Sequence, residues 1–159
     1  MSGDGAADKG HLDPTDAAFI DVVTDLLRRG HSVRFRAKGS SMLPTIREGE
    51  AITVAPARPA AIRRGDVILY RFARGVIAHR VAGVERGPDG APAFVPRGDA
   101  SVSRDEPVEG SAVLGRVTAV ERDGRTLNPA STRARALAAV RPIAARLLRW
   151  LRARRSRPT

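Results

Sequence analysis

The sequence predicts a mainly β protein, with one β domain at about residues 31–124 and a helical segment on either side of it. Between residues 33 and 122, short apolar stretches alternate with period two and are separated by Gly and Pro turns. Such spacing is typical of small all-β domains. Apolar residues at helical spacing occur near the two ends of the chain instead. We therefore divide the 159 residues into segments 1–30, 31–124 and 125–159.

The first segment predicts a short amphipathic helix after a disordered start. Residues 1–14 are small and polar, and we expect them to be disordered. Asp16 is a suitable N-cap for a helix that continues to Arg29, and Gly30 is a typical stop. The apolar residues of this helix fall on one predicted face: Phe19, Val22, Val23, Leu26 and Leu27.

The central segment predicts five or six short strands. They fall at residues 33–36, 51–54, 66–72, 76–84, 93–96 and 111–122. The third and fourth of these flank residues 73–75 and predict a hairpin, and Asp123 with Gly124 predicts a further turn.

The last segment predicts a basic amphipathic helix over residues 134–155, which Pro142 interrupts. Ten arginines follow residue 124 and no acidic residue follows Asp123, so this tail carries +10 of the net charge of +11. One interpretation is that its apolar side packs on the β domain. The other is that the helix lies on an anionic membrane surface. A nucleic-acid partner is the less favoured alternative.

Composition excludes several functions. The chain has no cysteine, so disulfides and thiolate chemistry are excluded, and its three histidines lie far apart, so we expect no metal site. No stretch approaches the roughly 18–20 apolar residues that span a bilayer. The first 16 residues lack the apolar core of a secretory signal. We expect a cytoplasmic or peripherally membrane-associated protein that needs no cofactor.

The stretch KGSSMLPT at residues 38–45 raises the question of a serine nucleophile. A serine hydroxyl needs a base to remove its proton, and the usual bases are His and Lys. Both lysines precede Ser41, and Lys38 is too close in sequence to point back at that hydroxyl. His79 follows in a strand-like stretch, where it shares a face with apolar neighbours. A neutral imidazole there is a competent proton acceptor near pH 7.

A serine and histidine pair also needs a group that orients the imidazole. The stretch FVPRGDASVSRDEP offers Asp99 and Asp105. From the residues alone, either carboxylate qualifies. A turn residue that bonds its own backbone is the ordinary alternative for both.

Four stretches in this order carry a resemblance to a known family: GSSMLPTIREGE, RRGDVILYR, IAHRV and FVPRGDASVSRDEP. Together they resemble the catalytic domain of type I signal peptidases, over roughly residues 33–120. They are most similar to the branch of endoplasmic reticulum, archaeal and spore-former enzymes, which uses histidine as the base. The wider superfamily includes self-cleaving repressors of the SOS type. The resemblance implies a signal-peptidase-like, partly open β-barrel.

The resemblance also implies roles for individual residues. Ser41 matches the nucleophile and His79 the general base. Asp99 and Asp105 match the two acidic positions, and Asp105 is the better candidate for the imidazole's partner. We therefore expect a serine endopeptidase that cleaves a precursor after small residues.

Two features around the nucleophile concern the oxyanion and the substrate. In the family, the backbone N–H of the nucleophile and a hydroxyl two residues before it hold the oxyanion. Here that earlier position is Gly39, and the nearest hydroxyl belongs to Ser40. Met42 is a candidate to pack near the small side chain of the substrate, or simply to fill space.

The chain departs from the family at its N-terminus, where members normally carry a transmembrane anchor. The amphipathic helix found there instead favours a soluble or peripherally bound relative. One alternative function is a non-catalytic peptide-binding module on the same fold. A self-cleaving repressor is less favoured, because a DNA-binding module needs roughly 60 residues before the β domain.

Overall fold

The computed structural model describes residues 16–73, 75–131 and 136. The predictions of a disordered start at residues 1–14 and of a helical tail at residues 134–155 lie outside this described part, apart from residue 136. In the described residues, one long α-helix packs on one antiparallel sheet of eight strands, and two short 3-10 helices, Pro59–Ala61 and Gly110–Ala112, lie in the connections. No helix among them is both long and apolar enough to cross a membrane.

Helix α1 spans Ala17–Arg28, as the sequence predicts. The Asp16 carboxylate accepts a hydrogen bond from the Ala18 N–H at 3.1 Å and so caps the first turn. Gly30 adopts φ +87°, a left-handed conformation that favours glycine, and ends the helix. The buried face differs in part from the predicted one. Ile20 lies in the core, whereas Val22 is 51% exposed and Leu26 is 36% exposed.

The strands are β1 (Val33–Arg36), β2 (Ala51–Ala55), β3 (Val67–Phe72), β4 (Gly75–Arg86), β5 (Pro92–Arg97), β6 (Val108–Glu109), β7 (Val113–Arg122) and β8 (Arg125–Leu127). Their order in the sheet is β1-β2-β7-β3-β4-β5-β6, and β8 pairs with β7. Every pairing is antiparallel. The mainly β prediction is therefore confirmed, as is the hairpin of β3 and β4.

Two strands were not predicted. Strand β6 has two residues, and β8 is exposed along its whole length, so neither shows an apolar alternation that could be recognised. Strand β8 also extends the sheet to Leu127. The segment predicted as a tail from residue 125 therefore starts inside the sheet.

The sheet separates two apolar cores. The first lies against α1 and includes Val23, Leu69 and Val117. The second is smaller and includes Ile68 and Tyr70. Since neighbouring residues of β3 point to opposite faces, Leu69 enters one core while Ile68 and Tyr70 enter the other.

This alternation decides which face of the sheet carries the predicted base. His79 on β4 pairs with Ile68 on β3, and Ile77 pairs with Tyr70. Cross-strand partners share a face, so the imidazole lies on the side of the second core.

Candidate active site

Ser41 lies in the turn between β1 and β2, and backbone contacts hold this turn in place. The Ser41 carbonyl accepts a hydrogen bond from the Ala100 N–H at 2.8 Å, and the Met42 carbonyl accepts one from the Ile46 N–H at 2.9 Å. The Met42 side chain is buried in the first core. Ser41 itself is exposed, so its hydroxyl is accessible while its backbone is anchored.

The structure brings His79 to this hydroxyl across a gap of 38 residues in sequence. Its Nε2 lies 3.0 Å from Ser41 Oγ, and its ring is buried. On the other side of the ring, Nδ1 contacts Asp105 Oδ2. An ionised carboxylate only accepts hydrogen bonds, so the contact with Asp105 assigns the donor role to Nδ1, and in a neutral imidazole Nε2 is then the acceptor. This is the tautomer that a general base requires.

Asp105 comes from the loop between β5 and β6. Its backbone N–H donates to the Pro96 carbonyl at 2.9 Å, which fixes this part of the loop against the end of β5. Its Oδ2 contacts His79 and also accepts a hydrogen bond from the Tyr70 hydroxyl at 3.0 Å. Of the two carboxylates that the sequence left open, Asp105 is the one that bonds the imidazole.

Tyr70 was not predicted as a site residue. It is buried in the second core, and burial, followed by the charge of Asp105, raises its pKa well above the usual value for a phenol. The predicted hairpin around residues 73–75 is the signal that could have found it. That pairing places position 70 opposite position 77, on the same face as the imidazole.

Asp99 occupies a different position, away from the imidazole. Its carboxylate is buried and accepts two parallel hydrogen bonds from Arg80, Nε to Oδ1 and Nη2 to Oδ2, both at 2.7 Å. The Thr45 hydroxyl donates to the same Oδ2. The remaining Arg80 nitrogen, Nη1, donates to the carbonyls of Gly65 at 2.7 Å and Pro129 at 2.9 Å.

This buried ion pair connects the parts that carry the site. Thr45 belongs to the Ser41 turn, Arg80 follows His79 on β4, and Asp99 belongs to the loop that leads to Asp105. Sequence reasoning missed Arg80, although a lone arginine in an apolar strand needs a buried acceptor.

Gly98 fills the space between the Ser41 turn and the imidazole. A Cβ atom at this position would lie 2.7 Å from the Ser41 carbonyl oxygen and 3.2 Å from His79 Nε2. The glycine is thus required by space, because its backbone φ is not in the left-handed region.

Two residues before Ser41, Gly39 and Ser40, bear on the predicted oxyanion donor. Gly39 adopts φ +86°, and a Cβ built on it would meet no atom within 4 Å. The glycine is therefore explained by its backbone conformation rather than by crowding. Ser40 is exposed, and its role in holding the oxyanion stays a prediction.

A cavity of about 210 Å³ opens beside Ser41. Its lining is mostly apolar and comes from β1, the Ser41 turn, β2, β3 and the start of β4. Met42, Val76 and Ala78 are among the residues that contact this space. The site therefore combines a hydroxyl, a base and a carboxylate in line with an apolar recess, which is an arrangement suited to acyl transfer.

Comparison with known proteins adds no identification. A scan against models of known protein families and a search of curated proteins each found no match.

Among the described residues, no group of three or more His, Asp or Glu side chains is arranged to hold a metal ion.

Proposed function

We propose that this protein is a serine endopeptidase of the signal peptidase type, which cleaves a precursor peptide or protein after small residues. One observation carries the proposal: Ser41 Oγ lies 3.0 Å from His79 Nε2, and Asp105 bonds the opposite ring nitrogen. These three residues come from a turn, a strand and a loop that are distant in sequence. The hydroxyl bonds the imidazole and the imidazole bonds the carboxylate, which is the sequence of contacts that nucleophilic catalysis by serine needs.

The proposed reaction proceeds through an acyl-enzyme. Ser41 Oγ attacks the carbonyl carbon of the scissile peptide bond while its proton passes to His79 Nε2. The imidazolium, stabilised by Asp105, then gives this proton to the leaving amine as the C–N bond breaks. Water, deprotonated by His79, attacks the ester, and the proton returns to Ser41 as the carboxylic product leaves. General acid–base catalysis of this type contributes about 10²–10⁴-fold in rate.

The oxyanion of the intermediate needs hydrogen-bond donors. The resemblance implies that the Ser41 backbone N–H is one of them, and the family's second donor would be a hydroxyl at position 39. Gly39 supplies none, so the exposed Ser40 hydroxyl is the proposed substitute. One missing donor costs about 3 kcal/mol of transition-state stabilisation. If Ser40 does not contribute, we expect a slow enzyme rather than an inactive one.

The free part of strand β4 is the proposed docking edge for an extended peptide. Strand β5 pairs with β4 from Arg80 onward, so no described strand pairs with residues 76–79 on that side. A peptide added there would gain main-chain hydrogen bonds and direct alternate side chains toward the cavity beside Ser41. That cavity, of about 210 Å³ and apolar lining, suits small apolar side chains before the scissile bond.

Two broader parts of the proposal come from the sequence, the first from the resemblance and the second from the basic amphipathic pattern of the tail. We propose that the open sheet corresponds to the partly open barrel of the signal peptidases. We also propose that residues 134–155 bind an anionic membrane surface and bring the site to substrates there. Flotation of the full chain with anionic vesicles, at several salt concentrations, tests the second part. If the full chain does not float with anionic vesicles, the membrane partner is excluded.

A cleavage screen tests the enzymatic proposal. Purified protein is incubated with a peptide library rich in Ala and Ser, and products are identified by mass spectrometry. We expect cleavage by the wild type and by the control Ser111→Ala. The Ser111 hydroxyl bonds the Glu109 carboxylate and takes no part in the candidate site. We expect none from Ser41→Ala or His79→Ala. Equal cleavage by Ser41→Ala would refute the mechanism. Binding of peptides without cleavage by the wild type would favour the non-catalytic module, which the glycine at position 39 also favours.

A further inference from the structure

We infer that Tyr70 is a positioning residue of the proposed site, whose hydroxyl holds the Asp105 carboxylate in the orientation that bonds the His79 ring. The inference rests on the proposed function, which it deepens by a fourth residue. In this role Tyr70 acts through Asp105, whose carboxylate its hydroxyl bonds.

The geometry shows why Asp105 needs a second anchor. Its side chain is 30% exposed and comes from a loop, whereas the His79 side chain is only 7% exposed and comes from a strand. A partly exposed carboxylate can rotate and exchange its partner for water. The Tyr70 hydroxyl, 3.0 Å from Oδ2, holds the same oxygen that bonds the imidazole.

Tyr70 is well placed to fix that oxygen. Its ring is 1% exposed and packs in the second core, with its centroid 6.4 Å from that of the His79 ring. Strand pairing sets both side chains on one face, since Tyr70 pairs with Ile77 and His79 pairs with Ile68. The donor is therefore held by the same two strands that hold the base.

The chemistry of a phenol suits this position. A neutral hydroxyl donates to Asp105 without adding a cation that would compete with the imidazolium for the carboxylate. Burial, and then the negative charge of Asp105, raise the pKa of Tyr70, so the hydroxyl keeps its proton at neutral pH and remains a donor. The Asp99 carboxylate, by contrast, is held by the cation of Arg80 and is not directed at the imidazole.

The composition of the chain permits a sharp test, because Tyr70 is its only tyrosine. Growth with 3-fluorotyrosine alters this one hydroxyl and keeps it as a donor, whereas Tyr70→Phe removes it and keeps the ring. The readout is the rate at which a fluorophosphonate probe labels Ser41. Ile62→Val, a methyl deletion in the same core, is the control for weakened packing.

We expect Tyr70→Phe to slow the labelling about tenfold, the value of one hydrogen bond to a charged group at the low end of its range. We expect the fluorotyrosine protein and Ile62→Val to react like the wild type. An unchanged rate in Tyr70→Phe, or an equal loss in Ile62→Val, would overturn the inference.

A spectrophotometric titration tests the Tyr70 contact without any catalysis. Ionisation of the single phenol is followed by its ultraviolet absorbance in the wild type and in Asp105→Asn. We expect Asp105→Asn to lower the midpoint, because the negative charge beside the hydroxyl is gone. An unchanged midpoint would overturn the inference. If the wild type is never labelled, the proposed function fails, and this titration alone then decides whether Tyr70 holds Asp105.

Discussion

Replacement of Gly98 by alanine tests how closely the Ser41 turn and the His79 ring approach each other in the candidate site. The added Cβ would meet the Ser41 carbonyl oxygen at 2.7 Å and His79 Nε2 at 3.2 Å. The carbonyl cannot simply retreat, because it also accepts the Ala100 N–H at 2.8 Å. Since Gly98 has no left-handed φ, the substitution changes occupied space and adds no backbone strain.

The size of the effect follows from these distances. Ordinary van der Waals contact begins at 3.4 Å, so the Ser41 backbone and the imidazole must separate from Gly98 by up to about 0.7 Å. Overpacking of this kind costs about 1–3 kcal/mol of stability. A misplacement of about 1 Å between reacting groups costs about 100-fold in rate. We therefore expect a folded, less stable Gly98→Ala protein that a fluorophosphonate labels about 100-fold more slowly.

Urea unfolding and labelling rates measure both effects, and Gly83→Ala is the matched control. A Cβ at Gly83 would lie 3.8 Å from the nearest atoms, in the Val95 side chain, which is ordinary contact. We expect this variant to label like the wild type. If Gly98→Ala reacts as fast as Gly83→Ala, the arrangement of Ser41, His79 and Gly98 described above is wrong.

Further predictions concern the two carboxylates and the phenol. Asp99→Asn breaks the buried pair with Arg80, and we expect it to lower the free energy of unfolding in urea by about 3–5 kcal/mol. Asp105→Asn should slow labelling far more than it lowers stability. Equal stability losses in the two variants would contradict the separate roles of these carboxylates. Because the pKa of Tyr70 is raised in the folded protein, the neutral phenol contributes stability at pH values below about 10, the pKa of tyrosine in the unfolded chain. That stability should be lost as pH rises above about 10, and the loss should be smaller in Tyr70→Phe; parallel stability curves for the two proteins would refute it.

Much of the fold could be predicted because it follows local rules. The cap at Asp16, the stop at Gly30 and the hairpin of β3 and β4 each rest on residues close in sequence. The face of α1 could not be fully predicted, since the position of the sheet decides that Val22 and Leu26 stay exposed.

Part of the candidate site could also be predicted from the sequence, and part could not. Ser41 and His79 were predicted from motif order, and the structure brings their side chains into contact. From the residues alone the choice between Asp99 and Asp105 stayed open, because the loop after β5 has no period from which side-chain direction can be deduced; only the resemblance favoured Asp105.

The partners of these carboxylates depend on three-dimensional contacts. Arg80 and Tyr70 become recognisable only through strand pairing and burial. The requirement for glycine at position 98 depends on the close approach of a turn that is distant in sequence.

Labelling by a fluorophosphonate, with the modified residue mapped by mass spectrometry, tests the serine-hydrolase proposal most directly. We predict a single adduct on Ser41, which is lost in Ser41→Ala, strongly reduced in His79→Ala and kept in Ser111→Ala. A wild-type protein that stays unlabelled, or an adduct that persists in Ser41→Ala, would contradict the proposal that this hydroxyl is an activated nucleophile.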